Sequence, residues 1–296
     1  AGRLGYSNGR GERALLAALA ERYSRRTGRT ITTDQIVALP GTQTALYAVL
    51  LTLTGPGDEV LVGDPMYATY EGVIASTGAK IVPVPLRPEH GFRMQASDVA
   101  ARITPRSRAL FLNTPHNPTG AVLRPSDIAD LGALAVQHDL WIISDEVYEH
   151  IIFTGATHRR IATIPGMQDR TLTISSAGKT FSFTGWKVGW AIGAEALQTA
   201  LRRVHQFTVF ATATPFQYAS ADGLRLGNEY YAELAADYQS RRDFLMKVLT
   251  NAGLEPQMPD GAYFIMANCE KYNRNPDAFS RWLIEKIGVA SIPPAS

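Results

Sequence analysis

Cys269 is the one cysteine in a chain of 296 residues. A single thiol excludes an intrachain disulfide framework and supplies no metal cluster, and it fits a reducing, cytoplasmic setting. Long apolar runs are missing as well. None approaches the roughly 20 residues that cross a bilayer, and no signal-peptide pattern opens the chain. An excess of one charge is also absent. The formal net charge is +2 and the lysines and arginines are scattered, so neither a nucleic acid nor an anionic membrane is supported as a partner. No Gly-x-Gly-x-x-Gly turn follows the first strand, and the glycines of "GYSNGRG" have no strand before them, which counts against a nicotinamide-binding protein. What remains is ordinary for a folded domain: 45% hydrophobic and 19% charged residues, in a chain long enough for a large domain with a smaller companion. Both ends, at Ala1 and at "IPPAS", are expected to be cut from a longer protein.

Apolar runs alternate with helical patterns over most of the length. Strands are predicted at 35–39, 58–63, 80–86, 107–115, 139–146 and 170–176, with helices at 42–53, 66–78 and 126–138. That alternation predicts an α/β fold with a mostly parallel sheet covered by helices on both faces. "KVGWAIG" (187–193) follows a turn so closely that it reads as an antiparallel member. Beyond Ala194 the pattern changes to long amphipathic helices at 195–209 and 229–250 joined by "TATPFQ", a strand "GAYFIMA" at 261–267 and a helix at 277–288. The expected division is an N-terminal segment (1–30), a large domain (31–225) and a smaller α+β C-terminal domain (226–296), incomplete at the chain ends.

Ligands of open α/β sheets sit outside the carboxyl ends of the strands, so the residues following each strand carry the chemistry. "LPGTQTAL" puts Gly41, Thr42 and Gln43 at a strand-to-helix junction whose backbone N–H groups suit a phosphate, although taken alone the stretch is better explained by an ordinary glycine turn with a Thr N-cap. "FLNTPHNPTG" brings Asn113 and Asn117 among prolines, more polar groups than a surface turn requires. Asp145 ends "WIIS" and precedes Tyr148; its carboxylate suits a cationic ring nitrogen, a metal or a helix cap. Lys179, in "SSAGK", stands among small residues, a setting a surface lysine does not need. If these strand ends converge, the site holds a phosphate cradle, an amide, a carboxylate, a phenol and an amine. That combination suits pyridoxal phosphate: lysine forms a Schiff base with the aldehyde, and the carboxylate keeps the pyridine nitrogen protonated.

The ordered motifs "NTPHNPTG", "SDEVY" and "SSAGKTFSFTGWKVGW" identify a resemblance to the class I/II aminotransferases of pyridoxal-phosphate fold type I, running from "GYSNGRGERAL" to "GVASIP". "GAYFIMA" and "FATATPFQ" look like the kynurenine/methionine branch, while "DPMYATYE" and "KIVPVPLRPEHGFR" are similar to arginine–pyruvate transaminase. The resemblance implies roles for individual residues. Lys179 matches the Schiff-base lysine that also shuttles the substrate proton, and Asp145 the partner of the pyridine nitrogen. Tyr148 and Asn117 match the pair on the ring O3′, and Tyr67 the aromatic stacked on the ring. Gly41, Thr42, Gln43, Ser176 and Lys187 match the phosphate cradle, with Lys187 where many members have arginine, so its contact is a point charge instead of a fork. Asn113 matches an amide near the substrate carboxylate. Tyr6 matches a tyrosine reaching the phosphate of a neighbouring subunit, which implies a homodimer with shared active sites. The family's carboxylate-clamping arginine lies beyond this C-terminus and is matched by no residue here.

The expected activity is therefore that of a transaminase, with an L-amino acid and a 2-oxo acid as substrates and no metal. Two alternatives use the same fold: a C–S or β-lyase employing the same residues, and a non-catalytic effector domain. Against the second, no helix-turn-helix segment or basic patch is visible.

Overall fold

The computed structural model describes residues 5–293. Seven strands form one sheet: β1 (Ile36–Leu39), β2 (Glu59–Asp64), β3 (Lys80–Pro85), β4 (Ser107–Asn113), β5 (Trp141–Asp145), β6 (Thr171–Ser176) and β7 (Gly189–Ile192), in the spatial order β1-β7-β6-β5-β4-β2-β3. From β3 across to β6 every pairing is parallel. β7 runs antiparallel to both β1 and β6, as its short approach from the preceding turn predicts. Both faces of the sheet are covered, so β6 and β7, and even the edge strand β1, are buried at every position.

Ten helices accompany the sheet among the described residues: α1 (Arg13–Thr27), α2 (Gly41–Leu53), α3 (Thr69–Ala75), α4 (Ala96–Ala100), α5 (Pro125–Gln137), α6 (Ala177–Thr180), α7 (Glu195–Thr208), α8 (Thr214–Leu224), α9 (Asn228–Asn251) and α10 (Pro276–Trp282). Period-2 side chains of the strands sort into two cores. Val60, Phe111, Ile143 and Ile174 pack with Leu46 and Leu50 of α2 and Leu201 of α7. Leu61, Leu110 and Ile142 pack with Ile128 and Leu131 of α5 on the other face. A third core joins Leu15 and Leu19 of α1 to Trp190 and to Leu224 of α8. Among the described residues no helix is long and apolar enough to cross a membrane.

Four expectations are corrected. The helix predicted at 66–78 shrinks to Thr69–Ala75, preceded by a cis Asp64–Pro65 bond. "TATPFQ" is not merely a connection, since Thr214 starts α8 with a proline in its first turn, a position that needs no N–H. The strand predicted at 261–267 does not form. Ala262 sits at φ +58, outside the extended region, so Gly261 keeps one bridge to Ile152 and only Ala267–Asn268 pairs, with Glu255–Pro256. The helix predicted at 277–288 is α10 followed by a π-helical turn, Leu283–Ile287.

Candidate active site

Register alone brings the candidate residues to one edge of the sheet. Asn113 at the end of β4 is paired with Asp145 at the end of β5, and Ser176 at the end of β6 with Gly189 at the start of β7. Gly189 is also paired with Leu39, two residues before Gly41. Because β7 is antiparallel, its first residues share the edge where the parallel strands finish, which carries Lys187 there as well. The approach is close: a Cβ on Gly189 would lie 2.7 Å from the carbonyl carbon of Gly41. Gly41 itself has φ +80 and faces the Lys187 side chain, and Lys187 is held in the left-handed region at φ +54, an arrangement that persists for a side chain only where its surroundings enforce it. Gln43 accepts a hydrogen bond from Thr69 at 3.1 Å, linking the start of α2 to α3, and Thr42 lies between Gly41 and Gln43 in the first turn.

Asp145 is 3% exposed. Its Oδ2 accepts from the Tyr70 hydroxyl at 2.8 Å and its Oδ1 from the Val147 backbone N–H at 3.2 Å. Burial pushes the carboxyl up to about 6; the Tyr70 and Val147 hydrogen bonds and the Lys179 charge oppose that rise, and the Glu146 charge adds to it. No helix follows β5, so the helix-cap explanation of Asp145 falls away. Asn113 is fastened to the same turn. Its Nδ2 donates to the Asp145 carbonyl at 3.0 Å and its Oδ1 accepts from the Asn117 N–H at 2.7 Å. The loop between them contains cis Thr114–Pro115 and Asn117–Pro118 bonds. His116 within it is buried, its ring lowered by burial to about 3, and it pairs with the Thr119 hydroxyl, so it is a neutral part of the loop.

Lys179 stands on α6, directly after the buried Ser175 and Ser176. It lines a cavity of about 450 Å³ with Tyr238, Arg242, Pro259 and Tyr263. Its Nζ donates to the Tyr263 hydroxyl at 2.8 Å and lies 5.9 Å from the centre of the Tyr148 ring. Tyr148 is buried, and burial raises its phenol well above the ordinary value. Tyr67 is 39% exposed and meets Tyr70 edge-on. Tyr6 stands apart: it is 96% exposed with its ring against Phe210, and among the described residues no hydrogen bond or ring contact joins it to the other candidates. Two participants are not evident from the sequence. Tyr70 lies three residues beyond Tyr67, in the first turn of α3, and Tyr263 lies in the segment expected to be an ordinary strand.

Behind the site lies a buried ionic cluster. Glu146 accepts from Ser144 at 3.0 Å, lies 2.9 Å from His158 and pairs with Arg160. Glu149 accepts from Ser175 at 2.8 Å and from Tyr23 of α1, and pairs with the same Arg160. The Trp190 indole donates to Tyr23 at 3.0 Å. The cluster thus ties the turn after Asp145 to β6, β7 and α1.

The sequence profile of the class I and II aminotransferases matches residues 1–296. This chain belongs to that family. It is 43% identical over 291 residues to the arginine–pyruvate transaminase of Pseudomonas aeruginosa, covering 98% of this chain and 74% of that protein. The methionine aminotransferase of Escherichia coli is 37% identical over 285 residues, covering 96% of this chain and 74% of the relative. Among solved structures, the N-succinyldiaminopimelate aminotransferase of Mycobacterium tuberculosis superposes with a TM-score of 0.95 at 39% identity, covering 99% of this chain and 77% of that one. The chain is a fold type I, pyridoxal-phosphate-dependent aminotransferase that moves an amino group between an amino acid and a 2-oxo acid, and neither the lyase nor the effector alternative gains support from these relatives.

The ionic cluster generates a stability prediction. Burial opposes ionisation of Glu146, but His158, Arg160 and Ser144 together hold its carboxyl below the ordinary 4.5. Its contribution is therefore complete above that pH and is lost as the pH falls through the lowered folded value. Arg160→Met leaves two buried carboxylates short of a counter-charge and should cost about 3–5 kcal/mol in urea unfolding at neutral pH, with the deficit shrinking in acid. A loss below about 0.5 kcal/mol, the range of ordinary surface substitutions, would show that the cluster is not a stabilising element.

Proposed function

We propose that the edge formed by β1, β4, β5, β6 and β7 is the transamination site, and that the single observation carrying this is the buried Asp145 carboxylate within the electrostatic reach of an amine, Lys179. The residues fit the cofactor. A carboxylate that burial pushes up to about 6 gains from a cationic partner, Gly41 presents backbone to Lys187 with no side chain between them, and Lys179 has only Ala177 and Gly178 between it and Ser176. When bound, pyridoxal phosphate supplies a carbonyl carbon for the amine and a ring that accepts the electron pair released as the substrate Cα loses its proton.

The chain's own residues do the rest. Lys179 Nζ would hold the carbonyl carbon in the resting site and, once the substrate's own amine had displaced it, the freed amine would move the proton from the substrate Cα. Asp145 holds a proton on the ring nitrogen through its charge, and the Tyr70 hydrogen bond fixes the carboxylate. Tyr148 and Asn117 bind the ring O3′, and Tyr67 covers one ring face. Gly41, Thr42 and Gln43 offer backbone N–H groups at the start of α2 to the phosphate, with the Ser176 hydroxyl and the Lys187 ammonium completing its contacts. Asn113, whose Nδ2 makes one hydrogen bond among the described residues, orients the substrate carboxylate.

The same reading extends to assembly. We infer a cytoplasmic homodimer in which Tyr6 is donated to the partner's site; its near-complete exposure and separation from the other candidates support this. The chain divides into an N-terminal interface segment (1–30), a cofactor domain (31–225) and a smaller C-terminal unit (226–296).

Borohydride reduction of the cofactor-loaded protein followed by peptide mapping should place the pyridoxyl group on Lys179, and Lys179→Ala should bind cofactor without turnover; labelling at Lys187 contradicts the assignment. The shared site has its own test. Tyr6→Phe removes one charge-assisted hydrogen bond and should weaken cofactor binding by about 10–100-fold. After subunit exchange between a Tyr6 variant and Lys179→Ala, each hybrid dimer with shared sites contains one intact site, so activity should return to a fraction of wild type. No recovery would mean that each subunit uses its own Tyr6.

A further inference from the structure

Tyr263 is fixed more firmly than a residue of an exposed turn needs to be. The N–H groups of Asp260 and Gly261 both donate to the Gly120 carbonyl, at 3.0 and 2.9 Å. A Cβ on Gly120 would fall 2.3 Å from Pro259, so the loop carrying Asn117 and the turn carrying Tyr263 interlock. Ala262, fully buried at φ +58, then rotates the chain so that the next side chain points at the strand ends. The Tyr263 ring is wedged edge-on to Tyr148 at 5.1 Å and stacked on Tyr238 at 5.6 Å. Its hydroxyl oxygen is left 2.8 Å from Lys179 Nζ and 3.5 Å from the Tyr148 hydroxyl.

A lysine amine on a four-carbon stem has many rotamers, and confining it carries an entropy cost that a fixed partner offsets. Lys179 finds that partner 84 residues further along the chain, in the segment assigned above to the C-terminal unit. We propose that Tyr263 is a positioning residue for Lys179: its hydroxyl oxygen accepts the amine's N–H and holds the nitrogen beside Tyr148, so the reach of Lys179 depends on how the Pro259–Tyr263 turn is seated against the loop at Gly120. The inference rests on Lys179 being the cofactor-bearing amine. Tyr263 assists without reacting. Only its oxygen is required for the role, since a phenylalanine keeps the packing against Tyr148 and Tyr238.

The experiment compares Tyr263→Phe with Tyr238→Phe, both as the cofactor-loaded protein. Tyr263→Phe should unfold at the wild-type temperature, and borohydride reduction should still label Lys179. The pH midpoint of the bound cofactor's absorbance change should fall by about one unit, because the lost oxygen accepted a nitrogen-bound proton. kcat should fall about tenfold with KM little changed, the pattern of a group that acts on the reacting amine and not on substrate binding. Tyr238→Phe, which removes a hydroxyl from the ring stacked on Tyr263, should leave the midpoint unchanged. An unmoved midpoint in Tyr263→Phe with Lys179 still labelled overturns the positioning role alone, as does an equal shift in Tyr238→Phe. Label on another lysine overturns the Lys179 assignment, and this inference with it.

Discussion

A buried carboxylate at the end of a central strand is the constraint around which this molecule is arranged. Asp145 is almost wholly buried, and two hydrogen bonds and a nearby ammonium leave its carboxyl raised to about 6. Those contacts do not compensate fully for desolvation. In the proposed site a cationic ring nitrogen would supply the missing compensation, and the surroundings hold the carboxylate in place. Tyr70 grips one oxygen, the Val147 N–H the other, and Asn113 the Asp145 carbonyl. The ionic cluster around Arg160 anchors the following turn from behind.

The mixed sheet topology matters as much as the carboxylate. In an all-parallel sheet the residues that start a strand lie at the edge opposite those that end one. The reversed direction of β7 between β1 and β6 brings Lys187 and Gly189 to the edge where Asn113, Asp145 and Ser176 finish. The glycine pair Gly41 and Gly189 then permits the backbones to approach more closely than any side chain would allow. Fold and site are thus one fact here: the strand order that buries the core also assembles an amine, a carboxylate and the glycine start of α2 from segments more than a hundred residues apart.

Much of this was legible in the sequence, for identifiable reasons. The strands ending at Leu39, Asn113, Asp145 and Ser176 announce themselves as β-branched and apolar runs bounded by polar residues, and the antiparallel β7 follows from the shortness of its connection. The convergence of Asn113, Asp145 and Ser176 on one edge, with Lys179 just beyond, was legible because each follows directly from where its strand ends. The C-terminal segment was less readable. "GAYFIMA" has the composition of a strand, but the positive φ of Ala262 and the interlock of Gly120 with Pro259 are tertiary facts with no local signature. Tyr70 escaped notice because its partner is 75 residues away, and Tyr263 because its hydroxyl reads as one aromatic among several.

The charge state of the ring nitrogen opposite Asp145 tests the account most directly. Reconstitution with ¹⁵N-labelled pyridoxal phosphate allows that nitrogen to be followed by NMR across the pH range in which the enzyme is folded. The account predicts a protonated nitrogen that stays protonated well above neutrality, and its loss in Asp145→Asn together with about 10²–10³-fold of turnover. An unprotonated nitrogen at neutral pH in the wild-type protein, or an Asp145→Asn variant indistinguishable from it, would contradict the central claim.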